Sequence, residues 1–174
     1  MSQNSIYNID NWSSGSFYYK NYIVIYNGLY YYATSDHTST SSFTNDLNNG
    51  LWNGNTYYNG NTLPYFFWKS SYHFSNESKP RIRKIQLGDG YFINAPDGIN
   101  TILLKYDFTF ENRDIHEITA ILHFLTVRNG VQSFVFLPPA PRGLLTTFKC
   151  EEWTDEQQFF GNYNIKATFN QSPV

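Results

Sequence analysis

The stretch Ile102-Leu103-Leu104-Lys105-Tyr106-Asp107-Phe108-Thr109-Phe110, running on to Asp114-Ile115-His116-Glu117-Ile118 and Ala120-Ile121-Leu122-His123-Phe124-Leu125, holds two hydrophobic periods. In the first, Ile102, Leu104, Tyr106, Phe108 and Phe110 alternate with Leu103, Lys105, Asp107 and Thr109, the period of a half-buried strand. In the second, Ile115, Ile118, Ile121, Leu122 and Leu125 recur at helical spacing. Asp114 followed three residues later by Glu117 has the form of a capping box, and Arg128 before Gly130 suits a helix end. The spacing therefore predicts a strand entering one amphipathic helix over about 114–128.

Working outward, Val131–Leu137, Leu144–Glu151 and Tyr163–Phe169 repeat the strand signal, with Leu144, Phe148 and Cys150 on one face and Tyr163, Ile165, Ala167 and Phe169 on another. Four strands need a covering layer, and the helix is the element available to supply it. Toward the N-terminus no comparable helical period appears. Asn27-Gly28, Asn49-Gly50, Gly54-Asn55 and Asn59-Gly60 punctuate short apolar runs instead, which reads as an all-β module with tight turns. The expected fold is mainly β: a small N-terminal all-β module and a C-terminal sandwich or barrel-like domain with one helix.

The charge distribution supports that division. Residues 1–77 carry two basic side chains (Lys20, Lys69) and four acidic ones, whereas residues 78–174 carry ten of each; 20 of the 34 aromatics lie in the first part. Such a shift marks two modules, 1–77 and 78–174, joined in the polar run Ser75-Asn76-Glu77-Ser78-Lys79-Pro80. A net charge of -2 over 174 residues argues against an electrostatic nucleic-acid binder. No run of 18 apolar residues predicts a membrane span, and MSQNSIYNID has neither the basic head nor the apolar run of a signal peptide. One cysteine, Cys150, leaves no internal disulfide and no cysteine-rich zinc site.

Catalytic and ligand motifs are missing from the sequence: there is no HExxH, Walker loop or GxSxG. His116 and His123, seven apart on the expected helix, read as surface histidines, so no metal and no cofactor are expected. Gly88 and Gly90 in Leu87-Gly88-Asp89-Gly90-Tyr91 suit a positive-φ turn rather than a phosphate cradle. Glu151, Glu152, Asp155 and Glu156 bracket Trp153 and read as a solvated turn between strands. With the basic run Arg81, Arg83 and Lys84 they form complementary surfaces, the kind of unlike pair that closes a ring head to tail. In the N-terminal module the aromatics exceed what a core of that size buries, and Tyr30-Tyr31-Tyr32 in a strand must face both ways. Trp12, Tyr19, Tyr30 and Trp52 are thus candidate platforms for a sugar ring or for another protein.

Two resemblances extend this reading. Arg81-Ile82-Arg83-Lys84-Ile85, Leu87-Gly88-Asp89-Gly90-Tyr91, Ala95-Pro96-Asp97-Gly98-Ile99-Asn100, Ser133-Phe134, Phe136-Leu137-Pro138-Pro139, Phe148-Lys149-Cys150 and Trp153 stand in an order and spacing that resembles the minor tail protein M family of lambda-like bacteriophages. That resemblance implies a non-enzymatic structural protein of the virion tail tip, assembled in the host cytoplasm. It implies a homohexameric ring between the tail tube protein and the distal baseplate or fibre proteins. Trp12, Gly15, Tyr19, Val24, Tyr26-Asn27-Gly28-Leu29-Tyr30, His37-Thr38-Ser39, Phe43, Asp46-Leu47 and Gly50-Leu51-Trp52 resemble the small carbohydrate-binding modules of families 5 and 12, which implies a host-surface glycan as an alternative partner.

Overall fold

The structure is a computed structural model that describes residues 9–72, 74–99 and 102–172. Its elements run β1 (Asp10–Asn11), β2 (Phe17–Tyr18), β3 (Ile23–Tyr26), β4 (Leu29–Ala33), β5 (His37–Thr38), α1 (Phe43–Asn48), β6 (Trp52–Asn53), β7 (Asn55–Tyr58), β8 (Asn61–Phe66) and β9 (Phe74–Ser78). They continue as β10 (Ile82–Gln86), β11 (Phe92–Pro96), β12 (Leu104–Arg113), α2 (Ile115–Arg128), β13 (Phe134–Phe136), β14 (Thr146–Phe159) and β15 (Asn162–Gln171). The protein is mainly β, as its alternating segments require.

The main layer is a seven-stranded sheet in the order β7-β8-β13-β14-β15-β12-β9. Tyr106, Phe108 and Phe110 of β12 and Ile165, Ala167 and Phe169 of β15 all point inward and are buried. The sheet curls hard enough that Phe66 on β8 lies 5.7 Å from Phe110 on β12 and 5.1 Å from Phe169 on β15, rings that belong to non-neighbouring strands. Helix α2 closes the curl, with Phe124 at 5.3 Å from Phe66 and 5.5 Å from Phe134. The Asp114 carboxylate accepts from the backbone N–H groups of His116 and Glu117. The Glu117 side chain does not reach back as a capping box would; it pairs with Arg113 at 2.9 Å. The helix ends on Asn129 in the left-handed conformation, ahead of Gly130.

The smaller sheet, β1-β3-β4-β6, explains the tyrosine run. Its alternation sends Ile23, Tyr30 and Tyr32 toward the main core, and Val24, Tyr31 and Ala33 toward a second core with Tyr18, Phe43 and Trp52. Neither face of β4 is left to water, so aromatics that seemed surplus to one small core are divided between two. The turns behave as their sequences demand: Asn27-Gly28 and Asn59-Gly60 adopt positive φ at both residues, the geometry of a tight two-residue hairpin. Gly54 serves close approach instead, since a Cβ there would sit 2.6 Å from Cε1 of Tyr31.

Four expectations change. The polar run Ser75–Pro80 is not a linker, because Phe74–Ser78 is strand β9, registered against β12 from Phe74↔Phe108 to Ser78↔Leu104. Strands β7 and β8 belong to the large sheet, so residues on both sides of position 77 share one layer. A short helix, α1, stands in a segment that reads as all-β. Leu144 precedes β14 and is 73% exposed, so it does not share the buried face of Phe148 and Cys150.

Candidate functional site

Between β9 and β12 the chain makes an excursion built around β10 and β11, which among the described residues pair with each other alone, from Ile82↔Pro96 to Gln86↔Phe92. The turn closes through the backbone N–H of Leu87 donating to the carbonyl of Tyr91 at 2.9 Å, with Gly88, Asp89 and Gly90 at consecutive positive φ. Opposed residues of an antiparallel pair share a face. One face of this arm therefore carries Ile85, Ile93, Ala95, Leu87 and Tyr91 with Arg83 at its base, and the other carries Lys84, Asn94, Gln86, Phe92, Ile82 and Pro96.

Among the described residues nothing covers the apolar face: Ile85, Leu87, Tyr91 and Ile93 are 42% to 74% exposed. A two-stranded ribbon is at best marginally stable in water, and a contiguous exposed apolar strip marks a contact surface. Arg81, at the base, is 3.6 Å from Asp97, an exposed ion pair worth at most about 1 kcal/mol. Arg83 and Lys84 are exposed on opposite faces of the ribbon.

Glu151, Glu152 and Asp155 do not form a turn. They lie exposed along β14, which runs through a bulge between Cys150 and Glu152 and ends with Phe159, where the following Phe160 is almost fully exposed. Basic and acidic residues of one copy therefore sit on different elements, the arm and strand β14 of the large sheet. Across the outer face of β9, β12, β15 and β14 lies a trough of about 630 Å³, lined at one end by Glu152, Trp153 and Thr154 and at the other by Phe74 and Ser75. Phe74, whose ring turns inward beside Phe108, also lines an apolar cleft of about 570 Å³, with Phe67, Trp68, Leu137, Pro138 and Pro139.

The four aromatic platform residues are not brought together. Trp52 is 3% exposed inside the second core, at 5.1 Å from Tyr18 and 4.9 Å from the His37 ring. Trp12 is half-buried with its ring edge-on to Tyr26 and Phe43, and Tyr30 packs edge-on against His123 at 4.6 Å. Tyr19 alone stays open, beside Phe17 at 5.0 Å and stacked on His116 at 6.0 Å. Sequence alternation placed Tyr30-Tyr31-Tyr32 in a strand but could not reveal that both faces of that strand pack against cores. His123 likewise departs from a helix-surface role: it is buried, and its Nδ1 lies 3.1 Å from the Tyr32 hydroxyl.

Among the described residues no group of three His, Cys, Asp or Glu side chains is placed to hold a metal, and no helix is long and apolar enough to cross a membrane. Cys150 is no nucleophile, because burial pushes its thiol up to about 12, and it donates to the Glu152 carbonyl at 3.4 Å. The native chain is expected to resist a thiol reagent at neutral pH and to react once unfolded in denaturant. Rapid labelling of the native chain would contradict that burial.

A curled sheet closed by one helix, with apolar and charged ribbons left uncovered, defines a protein shaped for assembly with other proteins. The family model described as phage minor tail protein matches residues 64–172, and the chain belongs to that family. Tail tip protein M of Escherichia phage N15 is 39% identical over 115 residues, covering 64% of this chain and 96% of that protein. Tail tip protein M of Escherichia phage lambda is 34% identical over 107 residues, covering 61% and 94%. The protein is thus a structural component of a phage tail, and residues ahead of position 64 lie outside the family match.

Proposed function

We propose that the chain is a non-enzymatic component of the tail tip that forms a closed ring of identical copies, linking the tail tube to the distal baseplate or fibre proteins. Six copies is the number the family resemblance implies. The observation that supports this most directly is the amphipathic arm over residues 82–96, whose apolar face is left exposed by the described residues of its own copy. Head-to-tail contact between unlike surfaces closes a ring when the rotation between copies closes. The arm, with Arg81, Arg83 and Lys84, and the β14 ribbon, with Glu151, Glu152 and Asp155, are such unlike surfaces.

The same view leaves little for a glycan platform, since Trp12, Tyr30 and Trp52 are engaged in packing. Native mass spectrometry of the full chain, together with imaging of purified tails, tests the ring. The expected result is a closed oligomer in the tail that is lost in the Ile85→Asp, Ile93→Asp double variant while the monomer keeps its melting temperature. Tails containing a single copy of the chain would overturn the proposal.

A further inference from the structure

Among the described residues three hairpins turn on two residues: Asn27-Gly28 between β3 and β4, Asn59-Gly60 between β7 and β8, and Phe160-Gly161 between β14 and β15. The first two carry the Asn-Gly pair that such turns favour, whereas the third has a phenylalanine where the others have asparagine. Turn geometry does not ask for that ring. Phe160 is 97% exposed and Phe159 beside it 64%, so two adjacent phenyl rings cap the end of the β14–β15 ribbon. Apolar side chains gathered in the open mark a contact surface, and aromatic rings are enriched at the buried centres of interfaces.

The apolar cleft of about 570 Å³ is a socket of the same character. The buried rings of Trp68 and Phe136 line it together with the half-buried Phe67 and Pro139. Its volume lies in the range of about 300–1,000 Å³ over which pockets enclose a small organic group, which leaves room for two phenyl rings. Neither Phe159 nor Phe160 lines the cleft of its own copy. The loop over 137–143, which forms one wall, leads into β14, and at about 3.3 Å per residue that 14-residue strand carries the tip up to about 43 Å away from the wall. Charge complements shape. Residues 155–164 of the tip carry Asp155 and Glu156 and no Lys or Arg, whereas the bordering segments 65–72 and 136–143 carry Lys69 and Arg142 and no acid, all four exposed.

We infer that the Phe159-Phe160 tip of one copy inserts into the apolar cleft of the next copy, with Asp155 and Glu156 turned toward Lys69 and Arg142. The occupant is a second copy of this chain. Tip and cleft are different surfaces, so the contact is heterologous and every copy offers one of each, as a closed ring requires. It takes out of water the two rings that their own copy leaves bare. This assignment rests on the ring reading and adds a seam between neighbours that is separate from the arm.

Cysteine cross-linking of the full chain in purified tails tests it, the native Cys150 being buried. A chain carrying both Gln158→Cys, beside the tip, and Ser70→Cys, on the cleft, is expected to give a ladder of covalent multimers that neither single variant gives. Adding Phe159→Ser and Phe160→Ser is expected to abolish the ladder while leaving Tm unchanged, since both rings are exposed. Glu156→Lys is expected to cut the cross-linked yield about five-fold, the size of an exposed ion pair, and adding Lys69→Glu to that chain is expected to restore it. Tails that hold several copies and give no ladder, or Gln158→Cys chains that cross-link only to each other or to another tail protein, would overturn the seat while leaving the ring in place. A single copy of the chain per tail would overturn the ring reading as well.

Discussion

Phe66→Ala is expected to destabilise the chain by about 4 kcal/mol, in the middle of the range for removing a buried aromatic ring. Phe66 is 1% exposed, and its ring lies within 6 Å of Trp68, Phe110, Phe124, Phe134, Phe136 and Phe169. These partners come from α2, from three other strands of the large sheet and from the segment after β8, and they cannot all move inward to fill the space. The transfer cost therefore adds to a cavity cost that relaxation does not recover. For a chain of this length the loss corresponds to a drop of roughly 8–16 °C in Tm, readable by calorimetry. A drop under a few degrees would show that Phe66 is not the hub of the curl. Phe92→Ala, on the face of the arm opposite Ile85 and 60% exposed, is the control expected to leave Tm nearly unchanged.

The second large effect is a dependence on pH centred on His123. Burial, with Arg128 nearby adding to it, lowers the His123 imidazole from its ordinary 6.5 to about 4 in the folded chain. The groups around it are the Tyr32 hydroxyl at Nδ1, the Tyr30 ring, and Arg128, whose guanidinium lies over the Phe124 ring and donates to the Phe124 carbonyl. Because the folded pKa is depressed, the unfolded chain binds a proton first as the solution is acidified. The stability this group contributes is whole above about pH 6.5 and is lost progressively as pH falls to about 4, levelling off below. After a discount for solvent screening, about 2 kcal/mol disappears over that window. Urea unfolding across pH 4 to 7 measures it, and His123→Gln, which cannot be protonated there, is expected to flatten the profile. An unchanged slope in that variant would assign the acid sensitivity to other groups.

Much of the C-terminal architecture was legible because its signals are local. The alternation Tyr106, Phe108, Phe110, the Asp114 cap and the Arg128-Asn129-Gly130 ending each act within one element, and each stands where its spacing places it. What could not be read was long-range. The Ser75–Ser78 stretch is polar because it is an exposed edge strand, and composition does not separate such a strand from a linker. Glu151–Glu156 resembles a turn by charge alone, yet β15 pairs along it and holds it extended. His123 looks like any helix-surface histidine until Tyr32, 91 positions earlier in the chain, is brought against it. The arm was visible only as the basic run Arg81, Arg83 and Lys84 followed by a glycine-rich turn. Its uncovered face became apparent once the register put Ile85 beside Ile93.

The double-faced β4 strand also has a mechanical meaning. Tyr30 and Tyr32 are gripped by α2 and Tyr31 by Phe43, while Trp68, on the segment that follows β8, donates its indole N–H to Asn21 at 3.0 Å. These contacts join residues 9–63 directly to the helix and the large sheet, so a load applied to the N-terminal strands is expected to reach the family-matched region through packed rings and a buried hydrogen bond.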